Sequence, residues 1–239
     1  MDRVAVITDI HANLPAFEAA LSWIDGEGIH QVYCGGDLVG YGPRPNEVCR
    51  LISERQLPTI YGNYDWAIAR DEEDCGCAYV TPHDREIGQL SVDWTLVNTD
   101  EASKHFMREL PFDRRFGLGG KRVRLVHGSP RKVNEYLFED KPKKTFERIA
   151  AGADCDVLAF GHTHKPWVRE YGGVLFVNCG AVGKPKDGDP RAAFATLAAR
   201  DGELEVEIRR VTYPAEEVAA EMREVGLPDE LAANLVSAR

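Results

Sequence analysis

The chain is expected to fold as an α/β protein with two stacked sheets flanked by helices. Short β-branched runs alternate with helical stretches through Tyr61, the rhythm of a mainly parallel, helix-covered sheet. The later apolar runs add more strands than one small open sheet can hold. Five short polar motifs each adjoin a predicted strand, where open α/β sheets bind ligands.

The elements follow from local pattern. Val4 to Ile7 is a β-branched run and reads as a buried strand. Leu14 to Asp25 has helical spacing through Phe17, Leu21 and Ile24, with Asn13 as N-cap and Pro15 in the first turn. Gln31 to Cys34 is a second strand, Asn46 to Arg55 a second helix and Thr59 to Tyr61 a third strand. Residues 67–118 break the rhythm: a charged stretch and a Cys/Gly turn precede helical patterns over Asp84 to Val97 and Asp100 to Leu110. This segment reads as a helical insertion packed beside the site within a single domain spanning 1–239. Strands are then expected over Arg122 to Val126, Val157 to Phe160 and Val174 to Val177, with a helix around Lys144 to Ala151. Phe194 to Leu197 and Leu204 to Val211 read as a hairpin around Asp201-Gly202, followed by a helix over Ala215 to Val225 and a short helical piece.

Composition narrows the function. At 239 residues and 44% apolar content the chain can bury a substantial core. Its net charge of −10 argues against non-specific binding to nucleic acid or an anionic membrane. No run approaches the roughly 20 apolar residues of a membrane span. Met1 to Ile7 enters a strand at once, so no signal peptide is expected there. The six cysteines, Cys34, Cys49, Cys75, Cys77, Cys155 and Cys179, read as reduced core thiols of a cytoplasmic protein. Cys75-Gly76-Cys77 is the only close pair, and neither a metal nor a redox role is expected of it, because no second pair completes a site.

The five motifs are Asp9-x-His11, Gly36-Asp37, Gly62-Asn63-Tyr64-Asp65, His127-Gly128 and Gly161-His162-Thr163-His164. Asp9, Asp37, Asn63, His11, His127, His162 and His164 are the donor types that hold a pair of divalent transition metals. Such a pair attacks phosphoryl groups. Any one Asp after a strand is ordinarily a cap or turn former, and a histidine taken individually, such as His30, His105 or His164, is ordinarily no ligand. The combination says more. Asp9/His11 and His162/His164 are spaced by one residue, so in extended chain each pair shares a face. The adjoining glycines permit close backbone approach.

In that order the motifs resemble the calcineurin-like metallophosphoesterase superfamily. Gly36 to Pro43 and Asn178 to Gly183 resemble its small prokaryotic phosphodiesterase branch. The resemblance spans about residues 4–211. It implies a four-layer αββα sandwich, with Asp9, His11, Asp37 and His164 on a first metal and Asp37, Asn63, His127 and His162 on a second. Asp37 would bridge them, and a metal-bridging hydroxide would attack phosphodiester or phosphomonoester bonds. Asp37, Asn63, Tyr64, Asp65 and His127 are the expected catalytic residues. Asp65 is expected to orient a neighbouring catalytic side chain or to cap a helix before Trp66. The cofactors are expected to be two Mn, Fe or Zn ions, among which the donor set does not choose. A small phosphorylated substrate, nucleotides included, is the expected partner; the oligomeric state is left open.

Two departures qualify this expectation. Tyr64 stands where the family has the histidine expected to protonate the leaving group. A phenol with an ordinary pKa near 10 is a poor acid at pH 7, so diesters or phosphoanhydrides with good leaving groups are favoured. Asn178-Cys179-Gly180-Ala181 replaces the family's Asn-Pro-Gly-Ser and lacks its serine hydroxyl. His83, Arg131, Lys184 and Lys186 are candidate phosphate contacts, and Tyr41 and Tyr136 candidate stacking partners for a base. A catalytically weakened binding scaffold is the alternative function, although a scaffold has no chemical need for seven ligands. A mononuclear protein is a third reading, separated by its indifference to loss of Asn63.

Overall fold

The computed structural model describes residues 2–200 and 203–239. In chain order the elements are β1 (Arg3–Ile7), α1 (Leu14–Gly26), β2 (Gln31–Cys34), α2 (Pro45–Glu54), α3 (Asn63–Ala69), α4 (Pro82–Asn98) and α5 (Glu101–Arg108). They continue as β3 (Asp113–Leu118), β4 (Lys121–Val126), α6 (Lys143–Ala153), β5 (Val157–Phe160), β6 (Trp167–Tyr171) and β7 (Val174–Asn178). The tail is β8 (Ala192–Arg200), β9 (Glu203–Val211), α7 (Ala215–Glu224) and α8 (Asp229–Ser237).

Two mixed sheets form, one ordered β2-β1-β8-β9 and the other β3-β4-β5-β7-β6. Strand alternation sorts the layers. Val4 and Val6 of β1 join Val123, Leu125, Val157 and Ala159 in a core between the sheets. Ala5 and Ile7, on the opposite face of β1, pack under Phe17, Leu21 and Ile24 of α1 and Val48 of α2. Leu158 and Phe160 of β5 meet Phe146 and Ile149 of α6 outside the second sheet. The result is the αββα sandwich. Strands β1/β2, β4/β5 and β5/β7 are parallel, so the loops after β1, β2, β4 and β5 emerge at carboxyl ends.

The third strand expected at Thr59 to Tyr61 reduces to one bridge between Cys34 and Thr59. Pro58 has no N–H, and the Thr59 carbonyl accepts from Arg114 Nε instead of a ladder partner. The charged strands β3 and β6 had no apolar alternation to reveal them. They are the two edges of the second sheet, where charged side chains face solvent. The segment expected to be a helical insertion thus contains α4 and α5 but ends in β3. β8 and β9 pair antiparallel out to Arg200 and Glu203; the turn expected at Asp201-Gly202 lies outside the described residues. Among the described residues no helix is long and apolar enough to cross a membrane.

Candidate metal centre

Seven donors converge where the carboxyl ends of the two sheets meet. Asp9 and His11 follow β1, Asp37 follows β2, Asn63 opens α3, His127 follows β4, and His162 and His164 follow β5. All seven are at most 3% exposed. The structure gathers six of them into two buried triads, Asp9/His11/His164 and Asp37/His127/His162, each with ligand atoms within 4.8 Å of one another. Asn63 joins the second triad, with Oδ1 3.2 Å from His127 Nε2.

The pairs spaced by one residue do not share a face through strand pleating. Asp9, His11, Asp37, His162 and His164 all have left-handed backbone, with φ between 48° and 65°. Each such residue costs roughly 1–2 kcal/mol. The turns send His164 to one triad and His162 to the other. Backbone crowding explains two of the glycines: a Cβ at Gly62 would collide with Asp37 Oδ1, and one at Gly161 with Asp9 Oδ2.

Hydrogen bonds to backbone carbonyls set the imidazoles. Nδ1 of His11 faces Val39 O at 3.0 Å, that of His127 faces Gly35 O at 2.8 Å, and that of His164 faces Lys184 O at 2.6 Å. A carbonyl only accepts, so Nδ1 carries the hydrogen and Nε2 points into the pocket. His11 Nε2 and His164 Nε2 then stand 3.1 Å apart. Burial lowers the His11 pKa to about 3 and holds His162 and His164 well below their ordinary value. Two neutral imidazoles thereby aim lone pairs at one another, and His162 Nε2 has no hydrogen-bond partner among the described residues. His127 differs: burial opposes its charging, but Asp37 at 3.3 Å outweighs this and raises its pKa to about 10.

The carboxylates are held as firmly. Asp9 Oδ2 accepts from Thr8 Oγ1 at 2.6 Å and from the His162 N–H at 3.0 Å. Asp37 Oδ1 accepts from the Tyr64 N–H at 2.9 Å. Neither acid has a lysine or arginine within ion-pair distance among the described residues. Converging lone pairs, buried acids and an orphaned imidazole nitrogen fit divalent cations, which would balance all three.

The other expected residues divide. Asp65 accepts from Leu38 N at 2.7 Å, Gly62 N at 2.8 Å and Val39 N at 3.4 Å, so it pins the α3 N-terminus to the loop after β2. Tyr64 is fully buried edge-on to His11, and its hydroxyl has no partner among the described residues. Tyr41 packs edge-on to His11, and Tyr136 lies over His162 with ring centroids 4.0 Å apart. Lys184 and Lys186 hold their ammonium groups 4.9 and 5.7 Å from the Tyr41 ring. His83 is not part of the pocket: it is exposed and paired with Glu230 at 2.6 Å. Arg131 is tied to Glu135.

Sequence reasoning missed three contributors. Thr8 buttresses Asp9, and Asn178 donates to Thr163 Oγ1 at 2.8 Å, steadying the loop between His162 and His164. Cys75 and Cys77 are not ordinary core thiols: the Cys75 carbonyl and Cys77 Sγ accept from Asn63 Nδ2 at 3.0 and 3.3 Å. The Asn178-Cys-Gly motif signalled the second and the close Cys75–Cys77 spacing the third; nothing local signals the first.

Residues 3–202 match the profile of the calcineurin-like phosphoesterase superfamily domain. An uncharacterized protein of Methanocaldococcus jannaschii is 30% identical over 99% of this chain and 98% of its own length. Phosphodiesterase YfcE of Escherichia coli is 26% identical over 82% of this chain and 88% of its own. Among solved structures, a metallophosphoesterase from Sphaerobacter thermophilus superposes with a TM-score of 0.80 at 30% identity, covering 99% of both chains. The chain belongs to the calcineurin-like phosphoesterase superfamily and is a metal-dependent phosphoesterase.

Proposed function

We propose that the centre holds two divalent transition ions and hydrolyses a small phosphodiester or phosphomonoester. Asp9, His11 and His164 would hold one ion and Asn63, His127 and His162 the other, with Asp37 serving both. The position of Asp37 Oδ2 carries this reading: it is 3.6 Å from His11 Nε2 of one triad and 3.3 Å from His127 Nε2 of the other. Two such ions, when bound, would supply an acidified water and neutralise charge on a phosphoryl group. The mixed nitrogen and oxygen donors suit Mn, Fe or Zn better than Ca.

The chain's own residues do the rest. Asp65 holds the α3 N-terminus so that Asn63 Oδ1 faces inward. Burial pushes the Tyr64 phenol well above its ordinary pKa, so it offers a hydrogen bond and no proton at neutral pH. Turnover then favours leaving groups that depart unprotonated, as in diesters with acidic alcohols or phosphoanhydrides. The relative named a phosphodiesterase supports the diester reading. A cavity of about 460 Å³ opens beside Thr163 and gives a small substrate room; Glu139 and Asp140 line it with Lys165 and Arg169, and Arg169 is paired with Glu139 at 2.7 Å, so the lining carries no net positive charge. In this reading the chain acts as one domain, with the 67–118 segment inserted beside the centre.

Metal analysis after reconstitution with Mn²⁺ tests the proposal. The parent protein should bind about two ions per chain, and Asn63→Ala should keep only the one held by Asp9, His11 and His164. A single ion in the parent, or no change in Asn63→Ala, overturns it.

A further inference from the structure

The turn that holds Asn63 carries two thiols. Cys75 Sγ and Cys77 Sγ lie 2.8 Å apart with only Gly76 between them. Gly76 has φ +68, and a Cβ there would meet the Asn134 side chain, whose Nδ2 donates to Gly76 O at 2.8 Å. The turn is thereby pinned with both sulfurs on one side. Cys75 is buried, whereas Cys77 is half-buried and Gly76 exposed, so solvent reaches the turn on the Cys77 side. The other four cysteines are buried. A disulfide sits at about 2.05 Å, so closure needs a sulfur shift of under about 1 Å.

Asn63 depends on this turn. Its Nδ2 hydrogens go to Cys75 O and Cys77 Sγ, which leaves Oδ1 facing His127. Drawing Cys77 Sγ into a bond with Cys75 removes one acceptor and turns the other. The amide then loses the contacts that fix which end faces the pocket.

We infer that Cys75 and Cys77 form an oxidisable dithiol whose closure to a disulfide by a peroxide releases Asn63 and weakens the half-site it serves. The chemistry balances with hydrogen peroxide as the two-electron oxidant. One sulfur attacks a peroxide oxygen, forming S–O and breaking O–O with loss of water. The second sulfur attacks the first, forming S–S and breaking S–O with loss of a second water. A dithiol reductant reverses it. The coupling to activity rests on the dinuclear reading above, whereas disulfide formation does not.

The fragment from Asp71 to Arg85 contains both thiols and is released by trypsin, because no Lys or Arg interrupts it. After one equivalent of hydrogen peroxide its mass should fall by that of two hydrogens and return with dithiothreitol. In step, the Mn²⁺-loaded protein should lose one bound metal and about 10–100-fold in activity, the cost typical of removing a group that orients a ligand. Cys75→Ser keeps the backbone carbonyl that Asn63 uses, and its activity should resist peroxide. A fragment that stays reduced while activity falls, or a disulfide that leaves metal content and activity unchanged, overturns the inference. If the reduced, metal-loaded protein hydrolyses no phosphoester, the dinuclear enzyme reading fails, and the fragment's mass together with its metal content still decides this one.

Discussion

His11, His127 and His164 direct their Nδ1 hydrogens to the Val39, Gly35 and Lys184 carbonyls, which leaves each Nε2 committed to the pocket. Donor direction is thus set by backbone, which rotates far less than a side chain does. Tyr64 stands at the expected acid position with its hydroxyl buried and without a hydrogen-bond partner among the described residues, and burial holds its pKa well above the ordinary phenol value, so it is a poor general acid at neutral pH. Tyr64→His should raise turnover of a monoester with a poor leaving group, by up to about 10²-fold, while changing an activated diester far less. Comparing the two substrates in steady-state kinetics checks this, and an unchanged monoester rate sinks the account.

The helices act mainly as braces. Asn13 caps α1 by accepting from the Ala16 N–H at 3.2 Å and donates to Gly183 O at 2.9 Å, which ties the helix to the loop bearing Lys184. Asn13→Ala removes both bonds and should cost about 1–2 kcal/mol in urea unfolding. α4 and α8 are joined by the exposed His83–Glu230 pair. The hydrogen bond to Glu230 raises the His83 pKa, so the protonated form is the one favoured in the fold. Its contribution is fully present below the ordinary histidine value of about 6.5 and is lost as pH rises through the higher folded value. An NMR titration should place the His83 midpoint above that of an exposed histidine, and Glu230→Gln should bring it back.

At the scale of the whole molecule the centre joins two sheets. Asp9, His11 and Asp37 come from loops of the four-stranded sheet, and His127, His162 and His164 from loops of the five-stranded one. Bound cations therefore bind across the inter-sheet core and favour the folded chain only. A free ion at a hundred times its dissociation constant stabilises by about 2.7 kcal/mol. Chelation should lower the melting temperature, and added Mn²⁺ should restore it; a melting temperature indifferent to both would mean that no such cations are held. The local strand and helix signals, the donor types and the family all stood in the sequence, because buried strands need apolar runs and metal chemistry needs particular side chains. The edge strands β3 and β6 did not, since a half-solvated edge carries no apolar alternation. The sequence by itself determined which seven groups could hold metal and that the acid position holds Tyr64. Only the tertiary structure decided that left-handed turns rather than strand pleating bring the donors together, that His83 is elsewhere, and that Thr8, Asn178 and the Cys75–Cys77 turn hold the donors in place. Those contacts join residues far apart in the chain or depend on left-handed turns, and neither leaves a periodic trace in the sequence.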